Sequence, residues 1–150
     1  MPQSLVRNYI HIVFSTEKRF PFIGSEIEED LHRYLGGICN RLDCQVLTVG
    51  GFNDHVHIIC MLSKKTALID LIKELKIGSS HWIKKLGGMY EKFYWQDGYG
   101  AFSLNPTDIE AAIDYVNNQA EHHKQRSFQE ELRAFLDKYK IQYNESYLWD

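Results

Sequence analysis

Residues 45–62 read QVLTVGGFNDHVHIICML, two largely apolar runs on either side of a glycine-containing segment. Its two ends, 45–49 and 55–62, are rich in β-branched and apolar residues, which is typical of strands. The residues between them, 50–54, are Gly, Gly, Phe, Asn and Asp, a composition that favours a tight turn. The stretch therefore predicts a β-hairpin. One alternating set on its second strand is wholly apolar and is predicted to face the core: Val56, Ile58, Cys60 and Leu62.

Hydrophobic periodicity predicts the elements on either side of the hairpin. A strand at 9–14 and a helix at 26–42 precede it, and Ser25 is expected to cap that helix. The residues after the hairpin predict, in order, a helix from a Thr66 cap to about residue 86, two short strand-like pieces within 93–104, and helices at 108–124 and 128–139. This order is typical of an α+β domain with a ferredoxin-like antiparallel sheet and helices packed on one face.

Length and composition predict one folded domain that spans residues 1–150. The chain has 150 residues, of which 44% are hydrophobic and 25% are charged, as in soluble globular proteins. Its longest apolar run, 58–62, is far shorter than the roughly 20 residues that cross a bilayer. Residues 1–10 lack the apolar core of a signal peptide, and three cysteines at no metal-ligand spacing indicate reduced thiols. We therefore expect a cytoplasmic protein with no membrane partner.

Charge is distributed unevenly along the chain. The net charge is −3, but residues 61–106 carry seven basic and four acidic side chains. Within this basic segment Lys73, Lys76 and Lys84 lie roughly on one side of the predicted second helix. Such lysines form either a solvated helix face or a surface that contacts nucleic-acid phosphates. The sequence leaves both interpretations open.

The second strand of the hairpin begins with His55-Val56-His57. Because strand side chains alternate between faces, both imidazoles are predicted to project from the same side of the sheet, opposite the apolar set. Two histidines arranged in this way can converge on one divalent ion. A pair of surface histidines that happen to alternate explains the same pattern, so the motif alone leaves metal binding open.

The predicted third helix carries Tyr115 and Gln119, which are four residues apart and therefore lie on the same flank. A tyrosine hydroxyl at such a place can act as a nucleophile, and an amide oxygen one turn later can bind a metal. A partly buried tyrosine beside a solvated glutamine is the structural alternative. His122 and His123 follow Gln119 closely and are alternative ligands, whereas His11 is expected to be a hydrogen-bonded structural residue of the first strand.

Five stretches of the chain, taken together, resemble a known family. They are 9–16 (YIHIVFST), 53–57 (NDHVH), 95–103 (WQDGYGAFS), 115–119 (YVNNQ) and 121–123 (EHH). In this order they resemble the one-tyrosine HUH transposases of the insertion-sequence 200/605 group, the IS200-like transposases, where HUH denotes His-hydrophobic-His. The resemblance covers nearly the whole chain. A His-hydrophobic-His pair followed about 60 residues later by Tyr-x-x-x-Gln is more specific than either motif alone.

The resemblance implies a fold, a metal site and a nucleophile. The fold would be the predicted sheet with an additional, mobile tyrosine-bearing helix. His55 and His57, with the amide oxygen of Gln119, would hold one divalent ion, either Mg²⁺ or Mn²⁺. The Tyr115 hydroxyl would attack a scissile phosphate of single-stranded DNA and leave a 5′-phosphotyrosine and a free 3′-OH. Because the phosphotyrosine ester keeps the energy of the broken bond, a second 3′-OH could join strands without ATP.

The resemblance also implies partners and a compartment. Members of the family act as homodimers that bind DNA hairpins in the cytoplasm of bacterial or archaeal cells. They commonly exchange their tyrosine helices, so that each site takes histidines from one chain and tyrosine from the other. Gly100 or the Asn105-Pro106 segment is the expected hinge for this trans arrangement. The lysines at 73, 76 and 84 are then the expected DNA contacts.

Four other functions compete with that of a mobile transposase. Two share its chemistry: a domesticated relative that processes repeated palindromes, and a replication or relaxase nickase, which usually has a third histidine and further domains. The third is a DNA-hairpin-binding module that has lost catalysis. The fourth is a ferredoxin-like metal-binding domain with no nucleic-acid partner. The presence of both Tyr115 and Gln119 favours the catalytic functions.

Overall fold

A single four-stranded antiparallel sheet organises the computed structural model, which describes residues 2–150. Its strands, in chain order, are β1 (Tyr9–Ser15), β2 (Val46–Phe52), β3 (His55–Met61) and β4 (Gly100–Leu104). In space the order is β2-β3-β1-β4, so β1 pairs with both β3 and β4 at the centre of the sheet. This split order is that of the ferredoxin-like fold, and the predicted α+β class is confirmed.

Two long helices pack on one face of the sheet. They are α1 (Ser25–Arg41) and α2 (Leu68–Lys84). Their apolar stripes meet the alternating apolar residues of the central strands, which removes this surface from water and forms the main core. Large, buried members of the core include Ile12, Phe14, Leu31, Leu35, Ile58, Leu71, Leu75 and Phe93.

Three shorter helices cover the opposite face. They are α3 (Ile109–Asn117), α4 (Gln119–His122) and α5 (Phe128–Lys138). A second, smaller core holds α5 against the sheet and contains Val13, Phe102, Phe128, Leu132 and Leu136. The helices predicted to pack on one face are α1 and α2, and the predicted tyrosine-bearing helix is α3, which lies on the other face with α4 and α5. The covering of the second face by α3 to α5 buries the side chains of β3 on both sides.

The glycines of the hairpin have a different role from the one that the sequence suggested. Gly50 and Gly51 continue β2, and only Asn53 and Asp54 form the turn. A Cβ at Gly50 would overlap the carbonyl oxygen of Val116, so the missing side chain lets the backbone of α3 lie directly on β2. Gly50 therefore allows α3, the helix that carries Tyr115, to lie against the sheet.

Helix ends also differ from the predictions. The predicted helix 108–124 is interrupted at Asn118, where the backbone leaves helical geometry (φ −108, ψ 28). The N-terminal caps of α1 and α2 are Gly24 and Ala67, so neither Ser25 nor Thr66 caps a helix with its side chain. The three cysteines are free and buried. Within residues 2–150, no helix has the length and hydropathy that crossing a membrane requires.

Candidate active site

The two histidines of β3 lie side by side under the C-terminal helices. His55 and His57 are both fully buried, and their ring centroids are 5.1 Å apart. They share the sheet face that α3 to α5 cover, as strand alternation predicted. The open alternative of a surface histidine pair does not describe this chain, because no part of either side chain reaches solvent.

A buried carboxylate meets both histidines. Glu131 of α5 places Oε1 2.8 Å from Nε2 of His57 and 3.4 Å from Nε2 of His55. Its other oxygen, Oε2, accepts hydrogen bonds from the Tyr115 hydroxyl and from Nε2 of Gln119, the latter at 3.1 Å. Ligand atoms of His55, His57 and Glu131 lie within 4.8 Å of one another. Glu131 is therefore the centre of the cluster.

Sequence reasoning missed Glu131, although the chain contains a signal for it. Phe128, Leu132 and Leu136 form the apolar stripe of α5, and position 131 lies within that stripe at helical spacing. A charged residue on a buried stripe requires a partner, because an unpaired charge in the interior is costly. The partners come from β3 and α3, which only the folded chain brings together.

Two further residues fix the orientation of the histidine rings. Nδ1 of His55 donates to Oδ1 of Asp54 at 2.7 Å, and Nδ1 of His57 shares a hydrogen bond with Nε2 of His11, also at 2.7 Å. Both rings therefore direct Nε2 towards Glu131. Contacts of this kind hold the ring and raise its basicity as a metal ligand. His11 is hydrogen-bonded, as expected, but its partner belongs to the cluster.

Gln119 and His123 complete the cluster on the α4 side. Oε1 of Gln119 is 2.9 Å from Nε2 of His55 and 2.9 Å from Nε2 of His123. Four sequence-predicted residues thus come together within one chain: His55, His57, Tyr115 and Gln119. The assignment of these residues as ligands and nucleophile stays a prediction.

Burial and close charges shift the pKa values of the cluster. Burial lowers the pKa of His55, but hydrogen bonds to Asp54 and Glu131 outweigh it and raise the pKa to about 9. Burial also lowers the pKa of His57, which stays below its usual value despite Glu131. For Glu131, burial favours the neutral acid, but hydrogen bonds from His123, His55 and His57 hold its pKa well below the usual range. The site thus contains an ionised carboxylate beside a charged His55.

Tyr115 lies half-buried on α3 with its hydroxyl at the edge of the cluster. The hydroxyl donates to Glu131, and its ring centroid is 6.0 Å from that of His57. Burial, together with the negative charge of Glu131, raises the pKa of Tyr115 to about 12. The phenol therefore keeps its proton at neutral pH and has an acceptor for it in contact.

The donor set of the cluster suits a divalent ion. Two imidazole nitrogens and a carboxylate oxygen converge, and an amide oxygen lies beside them. Imidazole and oxygen ligands together fit Mn²⁺ and related divalent metals, and Mg²⁺ takes the oxygens. Hydrogen bonds to Asp54 and Glu131 raise the pKa of His55, so a divalent ion that binds its Nε2 would displace a proton at neutral pH.

The three predicted DNA-contacting lysines lie on α2, away from the cluster on the other face of the sheet. Nζ of Lys76 donates to the carbonyl oxygens of residues 96, 97 and 98 at 2.7, 3.0 and 2.8 Å. Lys84 places Nζ 3.9 Å from the centroid of the Tyr94 ring, and Lys73 is exposed. Lys76 thus holds a loop, and DNA contact by these lysines stays a prediction.

Comparison with known proteins supports the resemblance. The family described as "Transposase IS200 like" matches residues 4–119. No curated protein matches the sequence. The fold is similar to that of a candidate transposase from Deinococcus radiodurans R1 (TM-score 0.62, 17% identity, covering 79% of this chain and 96% of the other). It is also similar to a REP-associated tyrosine transposase bound to a REP hairpin (TM-score 0.60, 13% identity, 82% and 73%).

The family match contains every strand of the sheet and ends at Gln119, so Glu131 and the rest of α5 lie beyond it. It spans far more than half of the chain, on a fold that both transposase structures share. We conclude that the chain belongs to the IS200-like transposase family.

Proposed function

We propose that this transposase cuts and rejoins single-stranded DNA through a covalent bond to Tyr115, with the metal ligands and the nucleophile supplied by one chain. One observation carries the proposal: the Tyr115 hydroxyl, His55 and His57 all converge on the buried carboxylate of Glu131. A hairpin-binding module or a simple metal-binding domain has no need of a tyrosine hydroxyl at this position. A domesticated relative that processes repeated palindromes would use the same chemistry.

The metal ion would be held by His55, His57 and Glu131. Gln119 keeps the role that the resemblance implies, because its Oε1 lies 2.9 Å from Nε2 of His55. When bound, a divalent ion such as Mg²⁺ or Mn²⁺ supplies positive charge for the scissile phosphate and the departing oxygen. Glu131 extends the ligand set that the sequence suggested, and it comes from the part of the chain beyond the family match.

The residues of the cluster can also move the proton that the reaction requires. The Tyr115 oxygen forms a bond to phosphorus as the bond from phosphorus to the 3′-oxygen breaks. Oε2 of Glu131 accepts the phenolic hydrogen bond and passes the proton on within the same step, because its lowered pKa disfavours a protonated carboxyl group. That proton then ends on the departing 3′-oxygen, so charge and atoms balance. A 5′-phosphotyrosine and a free 3′-OH result, and a second 3′-OH reverses the steps to join strands.

The substrate that we propose is single-stranded DNA marked by hairpins. A structural neighbour was solved bound to a REP hairpin, and the same class of ligand suits the basic segment of this chain. Exposed Lys73 and the partly exposed Lys84 are the better placed of the predicted phosphate contacts, since Lys76 is occupied by three carbonyl oxygens. The proposal includes a location in the cytoplasm of a bacterial or archaeal cell, as the resemblance implies.

The geometry favours a cis arrangement of the active site. The resemblance implied a homodimer with composite trans sites, but here Tyr115 contacts Glu131 and lies beside His57 of its own chain. A trans site would require α3 to leave Gly50, on which its backbone rests. We propose that each chain carries a complete site, and that any homodimer joins two such sites.

Strand cleavage of labelled oligonucleotides tests the proposed function. The substrate is a DNA hairpin with single-stranded flanks, labelled at either end and incubated with Mn²⁺ or Mg²⁺. We expect one fragment with a free 3′-OH and a second that stays with the protein after denaturation, while a fully duplex control is not cut. Tight hairpin binding without cleavage in either metal would instead indicate a non-catalytic binding module.

A further inference from the structure

A cavity of about 360 Å³ adjoins Tyr115 and His11, and its lining does not include His55, His57, Gln119 or Glu131. It lies between α3 and α5, and its walls include Ala112 and Tyr115 from α3 and Ala134 and Phe135 from α5. The alanines leave the space open, and a volume of this size is within the range of small-ligand sites. The proposed chemistry uses only the Tyr115 hydroxyl, so it leaves the cavity without a function.

The walls of the cavity are suited to a flat, aromatic ligand. Phe135 and Tyr139 of the C-terminal segment both line it, together with the ring of Tyr115. Aromatic side chains bind unpaired nucleobases by stacking, and they do so with little dependence on sequence. The cavity thus offers stacking surfaces one side chain away from the atom that would attack phosphorus.

The rim of the cavity carries positive charge. Arg126 is exposed and places Nη2 3.5 Å from the Tyr115 hydroxyl, and exposed Lys138 places Nζ 5.7 Å from the centroid of the Tyr139 ring. Asp108 is the only acidic residue among those that line the cavity. Two cations flanking an apolar, aromatic interior complement a nucleotide, whose phosphate is anionic and whose base is apolar on its faces.

We propose that this cavity binds the nucleotide on the 3′ side of the scissile phosphate, the one whose 5′-phosphate Tyr115 would carry. The inference rests on the proposed function. It follows from position, since the nucleotide attached to Tyr115 must lie beside that side chain for as long as the ester exists. The α3 wall lies within the family match and the α5 wall beyond it, so the C-terminal segment supplies one side of the site.

Substrates with one missing base test the inference. An abasic site directly 3′ of the cleaved phosphate removes the group that the cavity would hold. For the wild-type chain we expect kcat/KM to fall about tenfold on this substrate, a typical effect of losing one stacked base. Ala134→Leu enlarges a side chain that lines the cavity and changes none of the proposed catalytic residues, and it should cut both substrates at similar, reduced rates. Ala67→Leu, an exposed alanine before α2, is the matched control and should retain the tenfold difference.

Binding of free deoxyadenosine 5′-monophosphate gives a readout that does not depend on cleavage. We expect saturable shifts of the Phe135 and Tyr139 ring resonances in the wild type and in Ala67→Leu, and at least tenfold weaker binding in Ala134→Leu. Normal cleavage with no effect of the abasic site would overturn the inference and leave the proposed function standing. Absent cleavage, with mononucleotide binding that Ala134→Leu abolishes, would overturn the proposed function and support a nucleotide site.

Discussion

The Tyr115 hydroxyl donates a hydrogen bond to the carboxylate of Glu131, which connects α3 to α5 above the two histidines of β3. This contact gives the tyrosine a proton acceptor that the sequence did not reveal. The same carboxylate faces the histidines with its other oxygen, so one residue of α5 joins the nucleophile to the metal-binding groups. The chemistry of the site therefore depends on a helix outside the family match.

Replacing Glu131 by glutamine should disable the site without unfolding the chain. The amide keeps the shape of the side chain but loses the negative charge that a metal ion and the tyrosine proton require. We expect Mn²⁺ affinity to fall by about tenfold or more, and cleavage to fall at least as far. Titration calorimetry and strand cleavage measure the two effects. Glu130→Gln, an exposed neighbour on the same helix, is the control, and equal losses in both variants would refute the role of Glu131.

Metal affinity should rise with pH above the range of an ordinary histidine. The pKa of His55 is raised to about 9, whereas His57 and Glu131 have lowered pKa values and have already lost their protons at neutral pH. Below about pH 9 a metal ion must therefore displace one proton from His55. We expect Mn²⁺ affinity to increase by up to about tenfold per pH unit between pH 6.5 and 8.5. An affinity that is constant over this interval would contradict the assignment.

Gly50→Ala should disturb the active site from a distance. A Cβ at this position would overlap the backbone of Val116, so α3 must move and carry Tyr115 away from Glu131. We expect a loss of about 1–3 kcal/mol in the free energy of unfolding, as for other overpacked sites, and slower cleavage. Gly37→Ala in α1 is the matched control, because its Cβ would meet nothing within 4 Å. It should stabilise the chain by up to about 1 kcal/mol.

Much of the fold and part of the site follow from local patterns in the sequence. Strand alternation places His55 and His57 on one face, and helical spacing places Tyr115 near Gln119, because both depend only on backbone geometry. These patterns predicted the sheet, its main core and four residues of the cluster. Strand alternation and helical spacing are short-range properties, which residues close together in the chain determine.

The remaining features depend on contacts between distant parts of the chain. Glu131 meets β3 only after α5 has folded over the sheet, and a glutamate on a helix is usually solvated. The sequence predicts a turn at Gly50, but glycine also occurs where two backbones approach closely. Only the position of α3 shows that Gly50 permits a close approach. Nζ of Lys76 donates to three backbone carbonyl oxygens. Every residue has a carbonyl, so the sequence does not indicate which of them a lysine contacts.

Mixing two inactive variants distinguishes the cis arrangement from the trans arrangement. His57→Ala and Tyr115→Phe chains are refolded together and then assayed for cleavage. In the cis arrangement every site keeps one lesion, so we expect no activity in the mixture. In a trans arrangement each heterodimer would hold one intact site, and about half of the wild-type activity would return. Wild type mixed with Tyr115→Phe controls for losses during refolding.

The strongest test of the proposed function is the identity of the residue that becomes bonded to DNA. The protein is incubated with a single-stranded hairpin substrate and Mn²⁺, denatured, digested, and analysed by mass spectrometry for a peptide that carries a 5′-phosphodeoxynucleotide. We predict that the modified peptide contains Tyr115 with the phosphate on its side-chain oxygen, and that Tyr115→Phe forms no adduct while the exposed-tyrosine control Tyr147→Phe forms it normally. A DNA adduct that maps to another residue, or that persists in Tyr115→Phe, would contradict the account.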